Sequence, residues 1–291
     1  MHIQRLGSVH CHVGEGPVWD TAEQALYFVD ITQKLLWRYE PSSERFKTWQ
    51  MPSMIGSLAL RASGGALVAL QDGFHHFDFA TGATRALCNP QADDRTQFND
   101  GKVDALGRFV CGSQPRSLQD MAPLGSLFRL NTDLTATCLD GGFGITNGPC
   151  WSPDSRTFYF SDSLPKTIFA YDYDLQSGSV SNRRGFATTD EFGGIPDGAT
   201  VDSDANLWVS VCGGGKIVCF TPSGQVARVV DVPARWVSSV MFGGPALDQL
   251  YFTSIDAAAV GMAPKRGPDD GCLFVIDGLG ATGLPEHRFG A

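Results

Sequence analysis

A chain of 291 residues with a net charge of −9, its acids and bases interspersed, has no basic stripe for nucleic acid or an anionic membrane, and small solutes are the expected partners. Hydrophobic content of 43% is ordinary for a globular protein, and 34 glycines with 16 prolines make the chain rich in turns. The opening stretch MHIQRLGSVHCHVGEG lacks a basic region followed by an apolar one, and no run of about 18 apolar residues occurs, so a soluble, cytoplasmic protein is expected.

Taken in chain order, CHVGEGPVWD (11–20) places one acid, Glu15, between two glycines just ahead of Val18 and Trp19. Glycine on both sides lets the backbone approach a partner closely, and Pro-Val-Trp reads as the start of a buried strand. TAEQALYFVD is then the first of six short apolar strands, each behind an acidic or glycine turn; ASGGALVALQ, DALGRFVCGS, PDSRTFYFSD, DSDANLWVSV and ALDQLYFTSI follow. Their third strand residues, Tyr27, Val68, Val110, Tyr159, Trp208 and Tyr251, lie 41, 42, 49, 49 and 43 residues apart, which is a repeat. Most are followed by a second apolar run able to return as a hairpin partner: KLLWRYE, FHHFDF, GSLFRL, TIFAYDYD, KIVCFTP and CLFVID. No 3.6-residue apolar period persists over a helix length, so the chain reads as all-β.

Several strands per unit at this period predict a six-bladed β-propeller around a central channel, a single domain over residues 1–291. Closure of the propeller is expected from pairing of HIQRLGSVH with the last unit near CLFVID. Eight cysteines (11, 88, 111, 138, 150, 212, 219 and 272) form no CxxC pair and several sit in apolar runs, so buried free thiols of a reducing compartment are expected.

The repeat also works as a ruler. Twelve residues before each landmark lie Glu15, Gly56, Phe98, Asn147, Pro196 and Ser239, and one residue of slack adds Asn99 and Asp197. Each of the four polar residues is followed by glycine, directly or one residue later, in GEGPVWD, FNDGKVD, TNGPCWS and PDGATVD. Asn-Gly and Asp-Gly pairs most often form hairpin turns. A turn former has no reason to recur at one distance ahead of a buried strand in four units, so a shared site in the channel is expected. Two carboxylates and two amide oxygens at one point repel unless a cation satisfies them. That donor set suits a hard divalent ion, Ca²⁺, Mg²⁺ or Mn²⁺, with Zn²⁺ and Fe²⁺ left open. His10 and His12, badly spaced to join it, are read as structural or surface residues.

GEGPVWD, FNDGKVDALGRFVCGS, ITNGPCWSPDSRTFYFSDS and IPDGATVDSDANLWVS together resemble the gluconolactonase and regucalcin (senescence marker protein) family over nearly the whole chain. The resemblance implies hydrolysis of sugar-acid lactones with one divalent cation, metal ligands at Glu15, Asn147 and Asp197, and a substrate-contacting Asn99. Gluconolactonase-like members commonly carry arginine two residues before this asparagine, whereas here TQFND supplies Gln97, which can hydrogen-bond a sugar hydroxyl without the charge. CGSQPRSLQDMAPLGS departs from the family pattern as well; residues 113–125 are expected to form a loop over the channel mouth, with Arg116 able to supply the missing guanidinium.

The expected mechanism has the cation polarise the lactone carbonyl while Asp197 aligns or deprotonates the attacking water. A serine nucleophile is disfavoured because there is no GxSxG element. Two other readings keep the site: an ester or organophosphate hydrolase, and a non-enzymatic calcium-binding scaffold.

Overall fold

The computed structural model describes residues 1–117 and 122–290, which form twenty-four strands in six four-stranded antiparallel sheets. Blades 1 to 5 (residues 14–50, 55–88, 96–143, 146–188 and 195–231) take their strands in chain order. Blade 6 uses three strands from residues 237–277 and takes its outermost strand, His2–Arg5, from the start of the chain. That strand pairs antiparallel with Phe274–Asp277, from His2 opposite Asp277 to Arg5 opposite Phe274, so the expected closure is present in a defined register. The first strand of every blade packs against the first strands of both neighbours, and these six inner strands surround the axis. Among the described residues the only helical element is a short 3₁₀ turn, Asp190–Phe192, and no helix is long and apolar enough to cross a membrane.

The six apolar runs of the sequence are the second strands. Ala25–Asp30, Ala66–Leu70 and Leu207–Cys212 are buried at every residue, because neighbouring blades cover both faces. Outer strands such as Arg45–Gln50 have one solvated face and no comparable run. The core is a set of wedges between blades: Tyr27 and Val29 of blade 1 pack with Leu58 and Val68 of blade 2, and Trp19 of blade 1 stacks on Tyr251 of blade 6 with centroids 5.4 Å apart. Burying side chains of this size is worth roughly 1.5–3 kcal/mol each, which is what holds the wedges shut.

All eight cysteines are free, as expected, and six are buried; Cys88 is only half-buried and Cys138 is exposed, each on an outer strand where one face meets solvent. A second difference concerns residues 113–125. Strand Phe109–Pro115 carries its ladder to Pro115 and the next strand begins at Gly125, so the expected loop is shorter, and residues 118–121 lie outside the described residues.

The feature that builds the site is a bulge repeated in every inner strand. The pairing register breaks between Glu15 and Val18, Ile55 and Ser57, Phe98 and Gly101, Asn147 and Cys150, Pro196 and Ala199, and Val237 and Val240. One extra residue at each break unpairs the strand and re-aims its side chains. In blades 1 and 4 the bulge uses left-handed backbone at Gly16 (φ +51°) and Gly148 (φ +57°), which favours glycine there. Asn-Gly and Asp-Gly are therefore bulge pairs inside strands here, and hairpin turns are not formed at them.

Candidate functional site

The bulges put Glu15, Asn99, Asn147 and Asp197, from blades 1, 3, 4 and 5, on one cavity of about 230 Å³ at the end of the channel where the inner strands begin. Gln97 and Arg116 line it too, so all six candidate ligand and substrate-contact residues reach the same space. The one-residue slack has a structural cause. Glu15 and Asn147 are the last paired residues before their bulges, opposite Val29 and Ser161, whereas Asn99 and Asp197 are the first unpaired residues within theirs.

Although polar, the site residues are almost shut off from bulk water: Glu15, Asn99, Asn147 and Asp197 are 3–6% exposed. Burial, reinforced by the charges of Asp197 and Asp100, pushes the Glu15 carboxyl well above the usual range. Asp197 is pushed up as well, by burial first and by Asp100 next, against hydrogen bonds from Glu15, Cys212 and the Gly198 N–H. Buried side by side, the two acids resist simultaneous ionisation. The Gly16 N–H supports Glu15 Oε2 at 2.9 Å.

The amides are oriented by a relay of hydrogen bonds. The Ser163 hydroxyl donates to the Pro196 carbonyl at 2.7 Å and can therefore only accept from Asn147 Nδ2, at 2.9 Å. This turns Asn147 Oδ1 toward the site, where it accepts from Asn99 Nδ2 at 2.8 Å. The same Asn99 nitrogen donates to the Thr146 carbonyl at 2.8 Å, which commits both of its hydrogens. Ser57 Oγ donates to the Asn99 carbonyl at 2.8 Å and fixes the bulge from blade 2.

Arg116 lines the cavity at its rim, where backbone carbonyls anchor it. Its Nε donates to the Thr96 carbonyl at 2.8 Å and one terminal nitrogen to the Gln71 carbonyl at 3.5 Å, so the guanidinium ties blades 3 and 2 together at the rim. Backbone carbonyls left over at strand ends are strong acceptors, and they fix the side chain at the rim. Gln97 is buried, and among the described residues its Oε1 has no hydrogen-bond partner. His10 lies outside the cavity lining, with Nε2 2.7 Å from Asp256, and has the structural place expected of it; His12 also stays outside the lining.

Three participants escaped sequence reasoning. Asp100 is a third buried carboxylate, which accepts from the Gly101 and Gly148 N–H groups at 2.8 and 2.9 Å and faces the opposite end of the channel. There Lys102 meets Glu286 at 3.0 Å, as residues 283–289 cross that end and bond to blades 5, 3, 1 and 2. Cys212 hydrogen-bonds Asp197, and burial next to two acids holds its thiol protonated. Ser163 is the relay already described. The Asp-Gly of FNDG marked Asp100, but only the fold shows that its charge reaches Glu15 and Asp197.

Among the described residues no three His, Cys, Asp or Glu side chains cluster to hold a metal. The candidate donor set consists of two carboxylates completed by an amide carbonyl, all hard oxygens.

Comparison with known proteins gives a consistent picture. The family described as SMP-30/Gluconolactonase/LRE-like region matches residues 13–256. Pentonolactonase XacC of Haloferax volcanii is 37% identical, with 99% of this chain and 98% of that protein aligned. Regucalcin of Xenopus laevis is 35% identical over 95% of this chain and 94% of its own. The crystal structure of a luciferin-regenerating enzyme superposes with a TM-score of 0.90 at 29% identity, covering 100% of this chain and 99% of that one.

Proposed function

Because this chain belongs to the SMP-30/gluconolactonase/LRE-like family, we propose that it is a single-domain lactonase acting on a sugar lactone, with Glu15, Asn147 and Asp197 as the holders of one divalent cation. The observation that carries this reading is the convergence of two buried carboxylates and an oriented amide oxygen on one cavity, an arrangement that raises both acids above their ordinary range. Such a set is relieved by a positive charge, and its oxygens suit a hard ion. A cation bound there supplies Lewis-acid polarisation of a carbonyl and offsets oxyanion charge.

The protein's own residues do the rest. Asp197 offers a carboxylate oxygen to the water that attacks the lactone carbonyl carbon, aligning it and accepting its proton as the ring C–O bond gives way. The proton then passes to the departing ring oxygen, and the product is the open-chain hydroxy acid. Asn99 has both amide hydrogens committed, so its Oδ1 is the atom left to orient a substrate hydroxyl. Gln97 lines the same cavity and orients a second. Arg116 holds the rim from the backbone.

The test is a pH-stat assay of sugar-acid lactones on chelated protein re-supplied with single divalent ions. Acid release restored by an ion supports the reading. Full hydrolysis in the chelated state removes the cation from it, and no hydrolysis of any lactone under any ion overturns it.

A further inference from the structure

Two residues ahead of each site position the chain places Val13, Met54, Gln97, Ile145, Ile195 and Val237, one from each blade. Five are aliphatic or thioether side chains and one is an amide. Val237 is wholly buried, and the other five line the cavity above Glu15, Asn147 and Asp197. Ile255 and Met262, from the segment that follows the second strand of blade 6, extend the same hydrocarbon wall. A molecule seated on the carboxylates is thus collared mainly by hydrocarbon: Gln97 is the one polar side chain among these six positions, and Thr32, Gln114 and Arg116 add further polar groups to the lining. The Gln97 amide is 6% exposed, and its Oε1 lacks a hydrogen-bond partner among the described residues.

A fully hydroxylated lactone suits such a collar poorly. Each hydroxyl turned onto Ile145, Ile195 or Met54 gives up water and finds no donor or acceptor, whereas a hydrogen or methyl at the same carbon loses nothing. A buried acceptor without a partner selects for the ligand that supplies one, and a site built to bond a hydroxyl rejects the analogue lacking it more strongly than an apolar pocket rejects an added methylene. Resting on the lactonase reading above, we infer that the substrate class is a deoxy sugar lactone, with hydrogen or methyl toward the collar and one hydroxyl kept for Gln97.

The experiment compares kcat/KM for pairs of lactones of the same configuration that differ in one hydroxyl: hexonolactones with their 6-deoxy counterparts, and pentonolactones with their 5-deoxy counterparts. We expect at least one deoxy member to exceed its partner by about tenfold or more. Gln97→Leu, which completes the hydrocarbon collar, should cost the deoxy substrate about tenfold, mainly in KM. Ile145→Ser should narrow the preference within the pair. Equal or better turnover of the fully hydroxylated member in every pair overturns the inference, as does a Gln97→Leu variant with unchanged kinetics. If no lactone is turned over, the lactonase reading fails separately. The collar is then decided by thermal shift and calorimetry with the same pairs: tighter binding of deoxy members supports it, and equal affinities overturn it.

Discussion

Blades 1, 3, 4 and 5 and blades 2 and 6 carry the same bulge in the same strand and use it differently. The first group turns a carboxylate or amide into the channel. Blade 2 has Gly56 and Ser57 there, and blade 6 has Ser238 and Ser239. A Cβ at Gly56 would lie 2.5 Å from the Phe98 carbonyl and 2.7 Å from that of Asn99, so this glycine makes room for the bulge next door. Ser57 then bonds the Asn99 carbonyl, and Ser238 bonds that of Gly14. One backbone device thus has two uses, presenting an oxygen and holding a neighbour's oxygen in place. Repetition of the bulge does not itself make a site; the side chain set on it does.

The sharpest way to break this division is to remove one member of each group. Asp197→Ala should lower lactone turnover by at least about a thousandfold, the scale of losing an essential group. The chelated variant should stay folded with a similar melting temperature, since removal of a desolvated acid repelled by its neighbours offsets the hydrogen bonds that acid accepted. Ser239→Ala should remain within about tenfold of the parent protein. Comparable losses in both would mean that blade 6 belongs to the site.

Gly56→Ala probes the supporting role directly. Its methyl meets backbone carbonyls, which cannot swing aside as a flexible side chain could. A destabilisation of about 1–3 kcal/mol is expected from overpacking, with about a 10–100-fold loss of kcat/KM as Asn99 is displaced. Chemical denaturation and steady-state kinetics measure the two. Unchanged kinetics in a folded variant would show that blade 2 does not hold Asn99.

Much of this was legible in the sequence, for identifiable reasons. The second strands are covered on both faces and so stand out as apolar runs, and their spacing carried both the blade count and the positions of Glu15, Asn99, Asn147 and Asp197. Strands with one wet face, such as Ser179–Thr188, left no such trace. Nor did partners contributed by distant segments: Ser163 reaches Asn147 across its hairpin, and Met262 comes from an excursion outside the repeat. Arg116 was readable as a residue near the mouth, but its bond to the Thr96 carbonyl depends on where a strand ends.

Ser163 sharpens the comparison from within a site-bearing blade, because it lies outside the cavity lining and reaches it through Asn147 and the Pro196 carbonyl. In Ser163→Ala the amide loses the acceptor that fixes its orientation, and the Pro196 carbonyl loses a donor. Affinity for the divalent ion, read by calorimetry, should weaken by about 10–100-fold, the range seen when a partner behind a metal ligand is removed. Threonine at 163 keeps the hydroxyl and should restore most of it. A merely structural serine would lower the melting temperature and leave ion affinity alone.

The smallest effect returns to blade 2, which carries no site oxygen and whose titration should therefore move stability without moving catalysis. His76 on strand Gly73–Phe77 is buried, and its Nδ1 lies 2.9 Å from a terminal nitrogen of Arg85. A guanidinium can only donate, so Nδ1 accepts and the proton of the neutral ring sits on Nε2. Burial first, and the charges of Arg61 and Arg85 next, push the imidazole down to about 4. The unfolded chain takes up its proton near pH 6.5 and the folded one near 4, so the unfolded state binds more protons across that window. Stability is then fully present above about pH 6.5 and declines as pH falls toward 4, by on the order of 2 kcal/mol from this group. His76→Gln keeps an acceptor for Arg85 without the titration, and its denaturation midpoint should fall less between pH 7 and 4.5 than that of the parent protein. Its kcat/KM for lactone should follow the parent profile over the same range; a shifted activity profile would place blade 2 in the chemistry and undo the division among the blades.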